Sequence, residues 1–112
     1  MPREYRQYLE DILLCIARIE EYTKGQSQAD FVNDFKTQDA VLHNLEIIGE
    51  AVKAIPEDFR TKYPQVEWSK IIGLRDIIAH RYFGVDFEII WDVVRTKLID
   101  LEKSIKSMLE AR

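Results

Sequence analysis

The sequence predicts an all-α protein, an antiparallel four-helix bundle with one or two short extra helices. Four segments repeat apolar residues at steps of three and four positions, which is the spacing of one face of an α-helix. No segment alternates apolar and polar residues as a half-buried β-strand does. The joints between the four segments are short, and short joints favour antiparallel neighbours.

The first predicted helix runs from about Arg3 to Lys24. Gly25 follows directly, and glycine commonly occupies the position just past a helix. Ser27 is then a suitable N-cap, since its hydroxyl can accept a hydrogen bond from a free backbone N–H of the first turn. The pattern therefore predicts a short second helix over Gln28–Asp34.

The second long helix is predicted over Gln38–Ile55, with Thr37 as its N-cap and Pro56 as its end. Polar residues share the face opposite its apolar stripe, namely His43, Glu46, Glu50 and Lys53. We expect that face to be solvated or, at the two glutamates, part of a dimer surface, and we expect no acid–base role there. Pro56 to Pro64 is a predicted connector with one helical turn around Asp58.

The last two helices flank a glycine. A helix from Trp68 to about His80 is followed by Gly84, where the helical pattern breaks. Asp86 is the predicted N-cap of a long helix over Phe87–Leu109, whose apolar residues recur at a spacing close to a heptad. The predicted stripe of that helix consists of Phe87, Trp91, Val94, Leu98, Leu101, Ile105 and Met108. We expect Trp68 and Trp91 to be core aromatics.

Composition limits the size and class of the protein. The chain has 112 residues, which predicts one domain over residues 1–112. A chain this short buries a modest fraction of its surface, so association into a dimer is a natural supplement. The net charge of −4 is not typical of a protein that coats nucleic acid. A site for RNA would have to be local, drawn from Arg75, Arg81 and neighbours such as Lys70 or Arg95.

The remaining composition predicts an intracellular protein. Cys15 is the single cysteine and lies in an apolar run, so we expect a buried thiol in a reducing cytoplasm. The sequence has no zinc-ligand spacing and no cluster of carboxylates, so it does not predict a metal site. The amino terminus has no apolar run of the signal-peptide type, and no stretch is long enough to span a membrane.

The chemistry-bearing residues gather in the third long helix and just after it. Asp76 and His80 are four positions apart on one face, where a carboxylate can hold an imidazole. Arg75 lies about 140° around an ideal helix from His80. To bring both groups to one phosphate, the arginine side chain could reach round, the last turn could unwind, or a second protomer could complete the pair.

Each of these residues also has a purely structural interpretation. His80 could stabilise the carboxyl end of its helix as a cation. Arg75 could be a partly buried side chain with its head in solvent, or one half of a dimer salt bridge. Tyr82 could anchor an interface, although the following Phe83-Gly84 favours an exposed turn where another enzyme could reach its hydroxyl.

The spacing Arg75, four residues, His80, one residue, Tyr82 resembles the Arg-x4-His-x-Tyr motif of the HEPN superfamily. The surrounding segments resemble its HepT branch: Asn44–Ala51 upstream, then Trp68 and Ile71, then Tyr82–Asp86 and Ile90-Trp91. The resemblance covers about residues 8 to 109. Bare Arg-x4-His spacing arises by chance, whereas the ordered set of segments is far more specific.

The resemblance implies an all-α, metal-independent endoribonuclease that is the toxin of a toxin–antitoxin module, with no cofactor. It implies Arg75 and His80 as catalytic residues in a two-fold homodimer, and RNA as substrate. From their positions beside this pair, we expect Asp76 and Arg81 to be supporting residues. The resemblance further implies a small nucleotidyltransferase antitoxin that transfers AMP to Tyr82, and leaves room for a higher assembly with that antitoxin. Many relatives have asparagine directly after the motif arginine. Here that position is Asp76, which places a negative charge beside a phosphate site.

Two other functions stay open at this point. The chain could be a helical binding module whose own cleavage is weak, and which serves mainly as partner and substrate of the nucleotidyltransferase. The acidic net charge and Asp76 favour this alternative. The chain could also be a purely structural helical dimer. RNA cleavage that is lost on His80→Ala separates the first function from both alternatives.

Overall fold

The computed structural model describes residues 1–80 and 84–111, and every regular element within them is a helix. The elements in chain order are α1 (Arg3–Thr23), α2 (Gln28–Val32), α3 (Phe35–Ala54), α4 (Glu57–Arg60), α5 (Trp68–His80), α6 (Phe87–Asp92), a π-helical segment (Val93–Lys97) and α7 (Leu98–Glu110). The all-α prediction is confirmed. The four-helix bundle arrangement and the two-fold homodimer stay predictions.

The core lies between the long helices. Helix α1 packs against α3 and α7, and α3 also packs against α5. The apolar stripe predicted for the second long helix, Gln38–Ile55, is confirmed, since all five residues at its three- and four-residue spacing are buried: Val41, Leu45, Ile48, Val52 and Ile55. Cys15 is buried as predicted, and its burial raises the pKa of the thiol.

The short helix α2 and the long helix α3 each begin at a residue whose side chain caps the first turn. The Ser27 hydroxyl accepts from the backbone N–H of Asp30, whose carboxylate accepts in return from the N–H of Ser27. The predicted cap of α3 is wrong by three residues, because Asp34 is the N-cap and Thr37 lies within the first turn. The Asp34 carboxylate accepts from both the backbone N–H and the hydroxyl of Thr37. These bonds lower the pKa of Asp34.

The carboxyl-terminal helical run departs from the predicted continuous helix in one place. A π-helical segment at Val93–Lys97 separates α6 from α7, and such a wider turn shifts the register of the side chains that precede it. Consequently Ile90 is the buried residue of α6, while the predicted Phe87 and Trp91 are only half-buried. Phe87 and Trp91 instead place their rings against Phe31.

Hydrogen bonds from the connector fix the beginning of α5. The indole Nε1 of Trp68 donates to the carbonyl oxygens of Arg60 and Tyr63, each at 3.0 Å. Trp68 is buried, as predicted. Its bonds attach α5 to the turn formed by α4 and so determine where the rest of α5 meets α3. Within residues 1–80 and 84–111, no helix is long and apolar enough to cross a membrane.

Candidate active site

Arg75 lies where α5 meets α3, with its guanidinium between two carboxylates. Its Nη2 donates to Oε1 of Glu50 on α3 at 3.2 Å, and its Nη1 donates to Oδ1 of Asp76 at 3.3 Å. The side chain is 20% exposed. Its Nε is buried and has no hydrogen-bond partner among the described residues. Arg75 is therefore held against the protein along its length, with its head at the surface.

A glycine on α3 makes this close approach possible. A methyl group at position 49 would overlap Cβ of Arg75 and come within 2.6 Å of its Cγ. Gly49 is buried. Because glycine in a helix interior costs about 1 kcal/mol relative to alanine, its presence in α3 requires a compensating contact. The Arg75 side chain provides that contact.

The carboxylates around Arg75 keep it charged. The hydrogen bond that the guanidinium donates to Glu50 raises the pKa of Arg75 above its ordinary value, against the opposing effect of desolvation. The hydrogen bond to Asp76 and the charge of Glu46 act in the same direction as Glu50. Local charge at this point is not purely positive, since three carboxylates lie within electrostatic reach of one guanidinium.

His80 is the last residue of α5, and it is exposed. Helix α5 is unbroken through His80, so the alternative that its last turn unwinds is wrong. The expectation that the Asp76 carboxylate can hold the imidazole of His80 by hydrogen bond or charge stays a prediction. Among the described residues, the Asp76 carboxylate accepts a hydrogen bond from Nη1 of Arg75. On an ideal helix, Arg75 and His80 are about 7.5 Å apart along the axis and about 140° apart around it.

Two predicted site residues, Arg81 and Tyr82, lie outside the described residues. The chain is described again from Gly84, and Asp86 caps α6 as predicted by accepting from the backbone N–H of Glu88 at 2.9 Å. The roles assigned to Arg81 and Tyr82 stay predictions.

The other basic residues expected near the site are engaged elsewhere. The Nζ of Lys70 lies 2.6 Å from the Glu67 carboxylate. The guanidinium of Arg95 lies 4.5 Å from the centre of the Trp91 ring, and it donates to the carbonyl oxygen of Gln26 at 2.7 Å. Neither side chain contacts Arg75 in the part of the chain that the structure describes. The prediction that Lys70 or Arg95 supplements a local basic site is therefore not supported by their contacts.

A groove of about 360 Å³ lies beside α5, and Lys70 is one of the residues that line it. It runs between α3, α5 and the carboxyl-terminal helices, and its apolar wall includes Leu45, Leu74 and Val93. Neither Arg75 nor His80 lines it. The candidate active site is thus an open surface at the α3–α5 contact and at the end of α5.

The contacts of Gly49 and Glu50 with Arg75 were not predicted from the sequence. Glu50 was predicted to be solvated or part of a dimer surface, whereas the structure pairs Glu50 with Arg75 across two helices. The signal that could have located this contact is the glycine inside a strong helical pattern, since such a glycine often marks a close approach.

The sequence matches a known family of enzymes. The model of the HepT-like ribonuclease family matches residues 12–108. The chain belongs to the HepT-like ribonuclease family. The predicted family and the prediction of an RNA-cleaving enzyme are thereby confirmed.

Similar proteins cover nearly the whole chain. A Methanocaldococcus jannaschii protein provisionally named an RNase is 45% identical over 98% of this chain and 92% of its own length. One from Caldanaerobacter subterraneus, also provisionally named an RNase, is 45% identical over 94% of both chains. A Thermococcus cleftensis protein named "Probable ribonuclease HepT" is 42% identical over 96% of this chain and 98% of its own. No solved structure gave a significant match.

Proposed function

We propose that this protein is the toxin of a toxin–antitoxin module, a metal-independent endoribonuclease whose site combines Arg75 and His80 from two subunits. The observation that carries the proposal is the arrangement on α5. A guanidinium is fixed at the α3–α5 contact, and an exposed imidazole lies at the end of the same helix. Membership of the HepT-like ribonuclease family supports RNA as the substrate.

RNA supplies its own nucleophile, the 2′-hydroxyl. In the proposed reaction the 2′-oxygen forms a bond to phosphorus while the bond from phosphorus to the 5′-oxygen breaks. A neutral His80 accepts the hydroxyl proton, and a protonated His80 donates to the departing 5′-oxygen. The products are a 2′,3′-cyclic phosphate and a free 5′-hydroxyl. Arg75 binds the non-bridging oxygens and stabilises the negative charge that grows on them.

One chain brings a single histidine to the proposed site. The sequence has only two histidines, and His43 lies exposed on α3. A single imidazole cannot be base and acid in the same step. A two-fold dimer whose contact includes α5 places two copies of Arg75 and two of His80 in one cleft. His80 of the partner subunit then takes the second proton-transfer role.

The proposed partner is a small nucleotidyltransferase antitoxin that transfers AMP to Tyr82. This transfer forms a bond between the tyrosine oxygen and the α-phosphorus of ATP and releases pyrophosphate. Arg81 and Asp76 are proposed supporting residues, and a higher assembly with the antitoxin and a cytoplasmic location belong to the same proposal.

A second candidate function is favoured by the carboxylates around Arg75. The bonds from Arg75 to Glu50 and Asp76, with Glu46 nearby, offset the positive charge that would attract RNA. In this alternative the chain cleaves weakly and serves mainly as partner and substrate of the nucleotidyltransferase. The two functions differ in how fast the purified chain cleaves RNA.

Cleavage of a defined oligoribonucleotide by the purified protein tests the proposal. We expect products that end in a 2′,3′-cyclic phosphate and a 5′-hydroxyl, in buffer that contains a metal chelator. The matched control substrate carries a single 2′-deoxy sugar at the cleavage position, and we expect no cleavage there because the nucleophile is missing. Equal cleavage of both substrates, or products with 5′-phosphate ends, would contradict the mechanism.

A further inference from the structure

The Arg75–Glu50 ion pair joins two helices, unlike its counterparts on the surface. Arg6–Glu10, Lys70–Glu67 and Lys106–Glu102 each join residues three or four positions apart in the chain. Arg75 and Glu50 are twenty-five positions apart and belong to α5 and α3. This pair therefore constrains the tertiary position of the guanidinium, which the local pairs cannot do.

Two consecutive residues of α3 hold Arg75 at different points along its side chain. Gly49 leaves room for Cβ and Cγ, so that the stem lies against the α3 backbone. Glu50 accepts from Nη2 at the other end of the side chain. The stem and the head are thus both located by α3, and the flexible arginine has few other orientations left.

In this orientation, some N–H groups of the Arg75 guanidinium remain for binding a phosphate. An arginine head has five N–H groups, one on Nε and two on each Nη. Within the described residues, Nη1 gives one to Asp76 and Nη2 gives one to Glu50, while Nε is buried. One N–H on each Nη thus has no hydrogen-bond partner in residues 1–80 and 84–111. Two N–H groups are what a forked contact with a phosphate uses.

We propose that Gly49 and Glu50 are positioning residues that orient Arg75 toward the RNA phosphate. This inference rests on the proposed function, because it assigns a purpose to the orientation of the catalytic arginine. Neither residue touches substrate. Gly49 acts by the absence of a side chain and Glu50 by accepting one hydrogen bond, so the two can be tested separately.

Cleavage of a fluorophore–quencher oligoribonucleotide by Glu50 variants tests the hydrogen bond. Glu50→Ala removes the acceptor, and we expect the cleavage rate to fall about tenfold, the effect of losing one charge-assisted hydrogen bond. Glu50→Gln keeps an acceptor oxygen, and we expect it to retain most of the activity. Glu46→Gln is the matched control, because Glu46 acts on Arg75 through its charge and not through a hydrogen bond. We expect this variant to cleave RNA near the parent rate.

Gly49→Ala tests the packing contact, with Gly73→Ala as its matched control. Gly73 lies in α5 and has nothing within 4 Å of the site of an added methyl group, so that variant should keep the parent activity. Gly49→Ala must displace Arg75 or separate the helices, and we expect it to lower cleavage more than Glu50→Ala does. If Gly49→Ala proves too unstable to assay, the Glu50 variants alone decide the proposal.

A double-mutant cycle separates positioning from general destabilisation. Arg75→Lys keeps the positive charge but loses the forked pair of N–H groups. In this background Glu50→Ala should reduce the cleavage rate less than about twofold, because the effects of substituting two interacting residues are not additive. A full tenfold loss in that background would overturn the proposal, as would parent-level cleavage by Glu50→Ala. If Arg75→Ala itself cleaves normally, the proposed function fails. If Arg75→Ala is inactive and Glu50→Ala is unaffected, only the positioning role fails.

Discussion

His80→Ala is expected to lower the rate of RNA cleavage by about a thousandfold, since positioned general acid–base groups contribute factors of about 10² to 10⁴. In a two-fold dimer the substitution removes both imidazoles at once. His80 is exposed, so we expect the free energy of unfolding to change by no more than about 0.5 kcal/mol. Cleavage kinetics and denaturant unfolding of the same preparation measure the two quantities together.

The second histidine supplies the matched control. His43 is also exposed, and it lies on α3 rather than α5. We expect His43→Ala to cleave at the parent rate. If both variants lose activity equally, or if His80→Ala unfolds far more easily than the parent, His80 has a structural role and the assignment is wrong.

Arg75→Ala should be inactive as well, because it removes the positive charge that stabilises the negative charge on the phosphate in the transition state.

Tyr82→Phe is expected to stay toxic but to escape neutralisation by an active nucleotidyltransferase. The hydroxyl takes no part in the proposed cleavage, so its loss should leave the ribonuclease intact. AMP on that oxygen would add bulk and a negative charge two residues past His80, where it would repel the RNA backbone and offer Arg75 or Arg81 a competing anion. Growth of cells that express the variant, with and without the antitoxin gene, measures both effects.

The control for this prediction is an antitoxin whose transferase site has been inactivated but which still binds the toxin. We expect that antitoxin to fail against the parent toxin, in parallel with the failure of the active antitoxin against Tyr82→Phe. Full rescue of Tyr82→Phe would mean that the antitoxin acts by covering the site, and the modification mechanism would be wrong. A gain of mass at Tyr82 after co-expression would identify the modified residue directly.

The sequence predicted the helices well where local signals are strong. The bounds of α5 and the caps at Ser27 and Asp86 follow from residue type and apolar spacing, and the structure confirms them. The start of α3 was placed three residues too late, because Asp34 and Thr37 are both good caps and tertiary context selects the first. The π-helical segment could not be predicted, since apolar spacing does not distinguish a wider turn from a regular one.

The candidate site was only partly predictable, for a related reason. Arg75 and His80 were found from a motif within one helix, and a motif carries no information about the neighbouring helix. The Gly49–Arg75 packing and the Glu50–Arg75 ion pair depend on how α3 and α5 dock. Apolar periodicity fixes which face of each helix is buried, but not which polar residues meet at the edge of that face.

The composite site is tested most directly by the activity of a dimer with one altered subunit. Parent and His80→Ala chains with different affinity tags can be co-expressed, and the mixed dimer isolated by two successive purifications. If two imidazoles share one cleft, the mixed dimer should cleave RNA at less than about a tenth of the parent rate, because one of the two proton transfers is lost. A mixed dimer of parent and His43→Ala should be fully active. A rate of about half the parent value for the His80→Ala mixture would mean that each subunit works alone, and it would contradict the account.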